Sequence, residues 1–324
     1  MSKLTLSVSP QIRSKFATSN IMLDVVIALI PALIAGTVIF GIRALVLTAV
    51  CVGTAMLSEF IFELVLKKPN TLNDLSAVVT GLLLALNLPV TIPIWQAVVG
   101  SIIAIIIVKQ LFGGLGFNFA NPAITARIVL FVSFSNSMST WIDPTNTFMN
   151  FGWATADMTA AATPLSILKP GSEGEIPSLL SMFLGVEGGS IGETCALALI
   201  LGGIYLLIRK VITFHIPVIF VATVFIFSLI FAPEGSSVVT YALAQIFSGG
   251  LLIGAIFMAT VYVTSPTTNL GKIIFALGCG LMTCIIRFWG SNPGGVSFAI
   301  LFMNLLTPYI NKLTATKPFG GVEA

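Results

Sequence analysis

Residues 157 to 165 read DMTAAATPL: a carboxylate, then hydroxyl and very small side chains, then a threonine held by a proline. Ala160, Ala161 and Ala162 leave space around Thr163, and Pro164 biases Thr163 towards extended backbone. The chemistry on offer is an accessible hydroxyl on an uncrowded backbone, able to accept a bulky group, with Asp157 as the nearby carboxylate. The same letters also serve as ordinary loop punctuation, so the meaning of Thr163 depends on its surroundings.

A second stretch, FGGLGFNFANPAITAR at 112–127, sets Gly113, Gly114 and Gly116 before an Asn-rich, Pro-containing segment. The glycines permit positive φ and close backbone approach, or tight helix packing. Asn118 and Asn121 offer amide donors and acceptors suited to the polar edge of a flavin or quinone. Arg127 lies inside an apolar run, where it needs an anion, a cavity or an internal partner such as Asp74 or Glu193. Asp24, Glu59, Asp74 and Glu193 also sit in or beside apolar runs, which makes ion relay or cofactor contact their default functional reading. For Asp74, a helix cap is the equal alternative. Cys51, Cys195, Cys279 and Cys284 lack CxxC-type spacing and read as packing residues rather than as a disulfide or cluster framework. There is no GxGxxG after a strand and no Walker sequence, so any energy source must come from partners.

These residues are carried by a chain that is 56% hydrophobic and 8% charged over 324 residues, with a mean hydropathy of +1.06. A soluble domain carries about 25% charged residues. The fold class this implies is an all-α polytopic membrane protein in a lipid bilayer, and the small net charge of +3 argues against a nucleic-acid partner. Apolar runs place ten spans, near 21–41, 44–64, 75–89, 92–108 and 120–135, then 190–208, 214–232, 243–264, 271–289 and 295–311. Ten spans put both termini on one side. Eleven basic residues then fall on that side, against Arg43, Lys169 and Arg287 on the other. The positive-inside rule makes both termini cytoplasmic and turns residues 136–189 outward. The first fifteen residues lack the apolar core and cleavage site of a signal peptide and are expected to stay as a cytoplasmic leader.

Five spans on each side of the central loop divide the chain into a repeat over 1–135, an outward loop over 136–189, a second repeat over 190–312 and a tail over 313–324. An odd number of spans per half makes related halves inverted. GLLLALNLPVTIP at 81–93 parallels GLLIGAIFMATVYVTSP at 250–266, and FANPAITARIVLF at 119–131 has a fainter echo in GSNPGGVSFAILF at 290–302. Helix breaks are expected at Asn87 to Pro93 and Val263 to Pro266, where freed backbone groups suit binding near the membrane midplane.

The loop around Thr163 resembles the flavinylation motif Asp-x-x-Ser/Thr-Gly/Ala-Ala-Thr, matched by Asp157, Ala161, Ala162 and Thr163, with Ala160 standing where a hydroxyl is usual. More widely, the order SPQI, DLSAVVTGLLLALNLP, FGGLGFNFANPA, DMTAAATPL, GSIGET, FMATVYVTSPTT, IIRFWG and PGGVSFAILFMNLLTP is similar to the RnfD family, the D-type subunits of the Rnf electron-transport complex. That family is related to the B-type membrane subunit of the sodium-translocating NADH:quinone reductase. Val261 departs from an aspartate usual in this pattern. The resemblance implies a urea-transporter-like fold of ten helices, covalent FMN on Thr163 placed by a flavin transferase, and a second, noncovalent riboflavin. It also implies assembly with other Rnf subunits in a bacterial inner membrane, where electron flow between ferredoxin and NAD drives sodium ions or protons. A solute channel of the same fold without a redox cofactor is the alternative; it would not need Thr163.

Overall fold

The structure is a computed structural model that describes residues 17–142, 163–169, 177–233, 237–290 and 294–315. Every regular element named here is a helix: α1 (Thr18–Phe40), α2 (Ile42–Val65), α3 (Ser76–Leu86), α4 (Ile94–Gln110) and α5 (Pro122–Ser133) in the first half. The second half contributes α6 (Ala196–Ile208), α7 (His215–Ile230), α8 (Val238–Phe247), α9 (Leu251–Met258), α10 (Asn269–Trp289) and α11 (Val296–Leu313). Short helices at Ser135–Met138, Pro164–Ile167 and Leu179–Leu184 lie between the halves.

By length and composition, α1, α2, α10 and α11 can each cross a membrane, and α8 with α9 forms a fifth candidate bent by 62°. The shorter apolar helices α3 to α7 fall on the other five runs picked out in the sequence. The outer faces stay apolar: Val132, Ile208 and Val65 are 72%, 74% and 72% exposed. Such a continuous apolar exterior is stable against lipid, not water.

Local chemistry sets the helix ends. Gly41 adopts φ 78° between α1 and α2, a backbone state that other residues resist. Asn121 caps α5 by accepting from Ala123 and Ile124 N–H, with Pro122 at the first helical position. The break expected at Asn87 to Pro93 is present, since α3 ends at Leu86 and α4 begins at Ile94. Residues 263–266 also lie outside helix, but the run assigned to 243–264 is interrupted earlier, at Ser248–Gly250, where Gly249 takes φ 67°. Its carbonyls find a partner in a distant arginine, a compensation invisible in the local sequence.

The halves pack closely. A Cβ on Gly202 of α6 would collide with the Ala28 carbonyl oxygen of α1, so these backbones touch directly. At the end of the same contact Asp24 accepts from Tyr205 Oη at 2.9 Å and pairs with Arg209 at 3.2 Å. A hydrophobic core cluster runs through both halves, from Ala28 and Leu29 to Ile300 and Met303.

Candidate functional site

Thr163 has extended backbone (φ −70°, ψ 146°) and caps the Pro164–Ile167 turn, its hydroxyl oxygen accepting from Ser166 N–H at 3.3 Å. One contact ties this turn to α8: the Tyr241 hydroxyl donates to Leu168 O at 2.8 Å and is itself held within α8 by Gln245 Nε2, which donates to it at 3.1 Å. Leu165 presses on Gly249, where a Cβ would come within 3.0 Å of its methyl group. Beside Thr163 opens a cavity of about 350 Å³, lined also by Pro164, Arg127, Glu193, Gly250 and Arg287.

Both arginines are organised by the ends of interrupted helices. Arg287, 3% exposed, donates through Nη1 to Gln245 O at 2.6 Å and Gln245 Oε1 at 3.2 Å, and through Nη2 to Ser248 O at 3.1 Å. These backbone oxygens are the ones released where α8 stops. Arg127 donates to Asn87 O, just past α3, at 3.1 Å and to Ser297 Oγ. The carboxylate of Glu193 accepts from Ser190 N–H at 3.0 Å through Oε1. Its Oε2 and the Arg287 Nε are buried without a hydrogen-bond partner among the described residues. Among the described residues that line the cavity, two guanidiniums against one carboxylate leave one excess positive charge.

Guanidinium groups at a threonine hydroxyl suit phosphate, whose oxygens accept charge-assisted hydrogen bonds. A site of this size can hold a small cofactor, and Gly249 and Gly250 keep its wall low. The free Nε and the hydroxyl therefore fit a phosphate-bearing group attached at Thr163.

Asn118 and Asn121 are elsewhere. They line a second cavity of about 240 Å³ with Lys109, Ser76 and Tyr262. There Asn118 donates to Ala120 O at 2.9 Å, while Asn121, besides capping α5, donates to Met258 O at 3.1 Å. The cofactor candidates thus divide between two sites rather than meeting in one. Asp24 is held by Arg209 and Tyr205 as described. Asp74 accepts from the N–H of Ser76, the first residue of α3, at 2.8 Å, although the N-cap position itself is Leu75. Arg127 makes no ion pair with Asp74 or Glu193 among the described residues. Asp157, Ala160, Ala161 and Ala162 lie outside the described residues.

Sequence reasoning misses two buried cations. The charge count places Arg287 and Lys109 in loops on opposite sides, but both are buried within helices. Removing one from each side leaves the charge asymmetry standing. For Arg287 a signal exists: Gly280, Thr283, Cys284 and Arg287 recur at helical spacing and mark one buried face of α10.

A bundle of apolar helices with broken segments and an apolar exterior is a multi-pass membrane protein, here with two arginines at its helix ends lining a cavity beside a threonine. The chain belongs to the NQR2, RnfD, RnfE family, whose model matches residues 5–320. It is 47% identical over 320 residues to the D-type subunit of the Na(+)-translocating ferredoxin:NAD(+) oxidoreductase complex of Acetobacterium woodii, covering 98% of this chain and 95% of that relative. Identity to the D-type subunit of the proton-translocating ferredoxin:NAD(+) oxidoreductase complex of Clostridium ljungdahlii is 41%, covering 98% and 96%. The D-type subunit of the ion-translocating oxidoreductase complex of Escherichia coli is 35% identical over 347 residues, covering 96% and 97%.

Proposed function

We propose that this chain is the D-type membrane subunit of an ion-translocating ferredoxin:NAD oxidoreductase complex and carries FMN through a phosphoester at Thr163. The observation that carries this reading is the placement of Thr163 on a cavity lined by two guanidiniums, the half-buried Arg127 and the buried Arg287. Supporting it are the relatives, which are named as D-type subunits of sodium- or proton-translocating complexes. When bound, the flavin supplies electron transfer at its ring. Arg127 and Arg287 would neutralise the phosphate, while Glu193 limits the net positive charge. The small residues before Thr163 would give a flavin transferase access.

In this reading ten spans form two inverted five-helix halves in a bacterial inner membrane. Both termini are cytoplasmic, residues 136–189 face outward, and the other Rnf subunits pass electrons to and from the flavin. The second cavity, with Asn118 and Asn121, is the place for a noncovalent riboflavin. Asp24, Asp74 and Glu193 remain the ion-pathway candidates of the sequence.

The test is ultraviolet in-gel fluorescence of denatured protein co-expressed with a flavin transferase, comparing the native chain with Thr163→Ala. Fluorescence lost only in the variant supports a tethered flavin. If neither chain fluoresces although the transferase labels a control substrate, the tethered-flavin reading fails and a channel of similar fold takes its place.

A further inference from the structure

The second half of α4, Ile103–Gln110, is a π-helix. Widened turns of this kind interrupt α-helices frequently at functional sites. Here the widening brings two consecutive side chains onto one atom: Lys109 Nζ and Gln110 Nε2 both donate to Glu59 Oε1 at 2.6 Å. Glu59 is 0% exposed, and its other oxygen, Oε2, is buried with no partner among the described residues. An ion pair so completely removed from water is retained at a cost unless it has a use.

The pair does not stand alone. Lys109 Nζ also donates to Ser76 Oγ at 2.6 Å, and Ser76 Oγ donates to Asp74 Oδ1 at 2.5 Å. On the other side the Thr71 hydroxyl reaches Glu59 Oε1 at 3.5 Å and bonds Glu63 Oε1, while Thr71 N–H donates to Glu63 Oε2 at 3.1 Å. Thr71 is exposed, Glu63 is buried, and Lys109 and Ser76 line the second cavity. A continuous chain of exchangeable groups therefore runs from the surface to that cavity.

The groups facing Glu59 give it an uncompensated negative charge. From α2 comes Glu63, from the turn at Leu72–Asp74 comes Asp74, and from α4 comes Lys109. Asp24 of α1 is occupied by Arg209, and Lys68 lies over the Phe62 ring. Fully ionised, Glu59, Glu63, Asp74 and Lys109 sum to −2. Among the described residues no group of three acidic, histidine or cysteine side chains is arranged to hold a metal ion.

We infer that Glu63, Thr71, Glu59 and Lys109 form a proton relay from the surface to the second cavity, with Glu59 as its loading site. Each proton leaving Nζ for an acceptor in the cavity is replaced by one from Glu59. The Thr71 hydroxyl accepts a proton from Glu63 and donates its own to Glu59, and Glu63 is reloaded from water at Thr71. One proton moves inward, no electron moves, and each relay group ends as it began. The relay rests on the redox reading only for the acceptor, a cofactor that gains negative charge.

The test is infrared difference spectroscopy of the purified full chain during pH jumps, following the protonated-carboxyl stretch. Because it needs no flavin, its outcome is independent of the fluorescence test at Thr163. With Glu187→Gln as the background, which removes the other carboxyl that holds its proton near pH 7, a band from a buried carboxyl is expected and is lost when Glu59→Gln is added. Thr71→Val sits at the exposed mouth and leaves the buried pair intact, yet should slow the band's appearance at least about tenfold. A band unaffected by Glu59→Gln, no band at all, or native kinetics in Thr71→Val would each overturn the relay. If Glu59→Gln fails to fold, Glu59→Gln with Lys109→Gln removes both charges together, and the Thr71→Val kinetics remain decisive.

Discussion

Arg287→Leu separates a functional arginine from a merely tolerated one. The guanidinium holds two backbone oxygens, Gln245 O at 2.6 Å and Ser248 O at 3.1 Å, on either side of the break between α8 and α9. Leucine fills much of the volume but leaves those carbonyls without their donor. An unsatisfied buried acceptor costs about 1–3 kcal/mol, so the pair costs roughly 2–6 kcal/mol. Part of this is offset because a charge no longer has to be kept buried, giving an expected net loss of about 2–4 kcal/mol. Arg287→Lys keeps the charge, but one ammonium cannot fork across both carbonyls, and it should fall between. Denaturation of the purified chain in detergent gives the stability, and in-gel fluorescence gives flavin loading. Both should decline from native through Lys to Leu, because the cavity wall at Gly249 moves with the break. If Arg287→Leu unfolds within about 0.5 kcal/mol of native and loads flavin fully, the arginine neither fastens the break nor serves the site.

Other substitutions probe separate parts of the molecule. Gly202→Ala drives a Cβ into the Ala28 carbonyl oxygen and should destabilise by about 1–3 kcal/mol, read from thermal unfolding. Asp24→Asn loosens a pair whose arginine is half exposed, so a loss below about 1 kcal/mol is expected and a larger one would point to a further role. Glu187, in the connection before α6, has its carboxyl pushed up from 4.5 to about 7 by burial, against a weaker opposing hydrogen bond from Ser181. The folded chain then holds this proton where the unfolded chain has lost it. The stabilisation is complete below pH 4.5 and disappears as pH rises through about 7. Glu187→Gln should flatten the thermal midpoint between those limits, while an unchanged pH profile would rule out the assignment.

Much of this architecture was legible because lipid demands long apolar runs and punishes loose backbone. The runs near 21–41 and 44–64 became α1 and α2, and the Asn121–Pro122 pair announced the start of α5. Asn87 to Pro93 marked a true break, since proline there removes a donor and its neighbour resists helix. Thr163 stood out for its small neighbours and does face a cavity. The break at Ser248–Gly250 was harder to see because its stability comes from Arg287, some forty residues away. Lys109 looked like a loop charge at the end of an apolar run; only the π-turn and Glu59, fifty residues earlier, explain its burial.

Composition and periodicity, then, determined by themselves that the chain is a helical membrane protein and where most of its helices run. These are local properties, fixed by the solvent each segment requires. The tertiary structure alone decided which charges meet. It separated Asn118 and Asn121 from Thr163, set two arginines around that threonine, and buried Lys109 against Glu59. Such pairings depend on which helix faces touch, and apolar faces in lipid carry too little sequence information to name their neighbours.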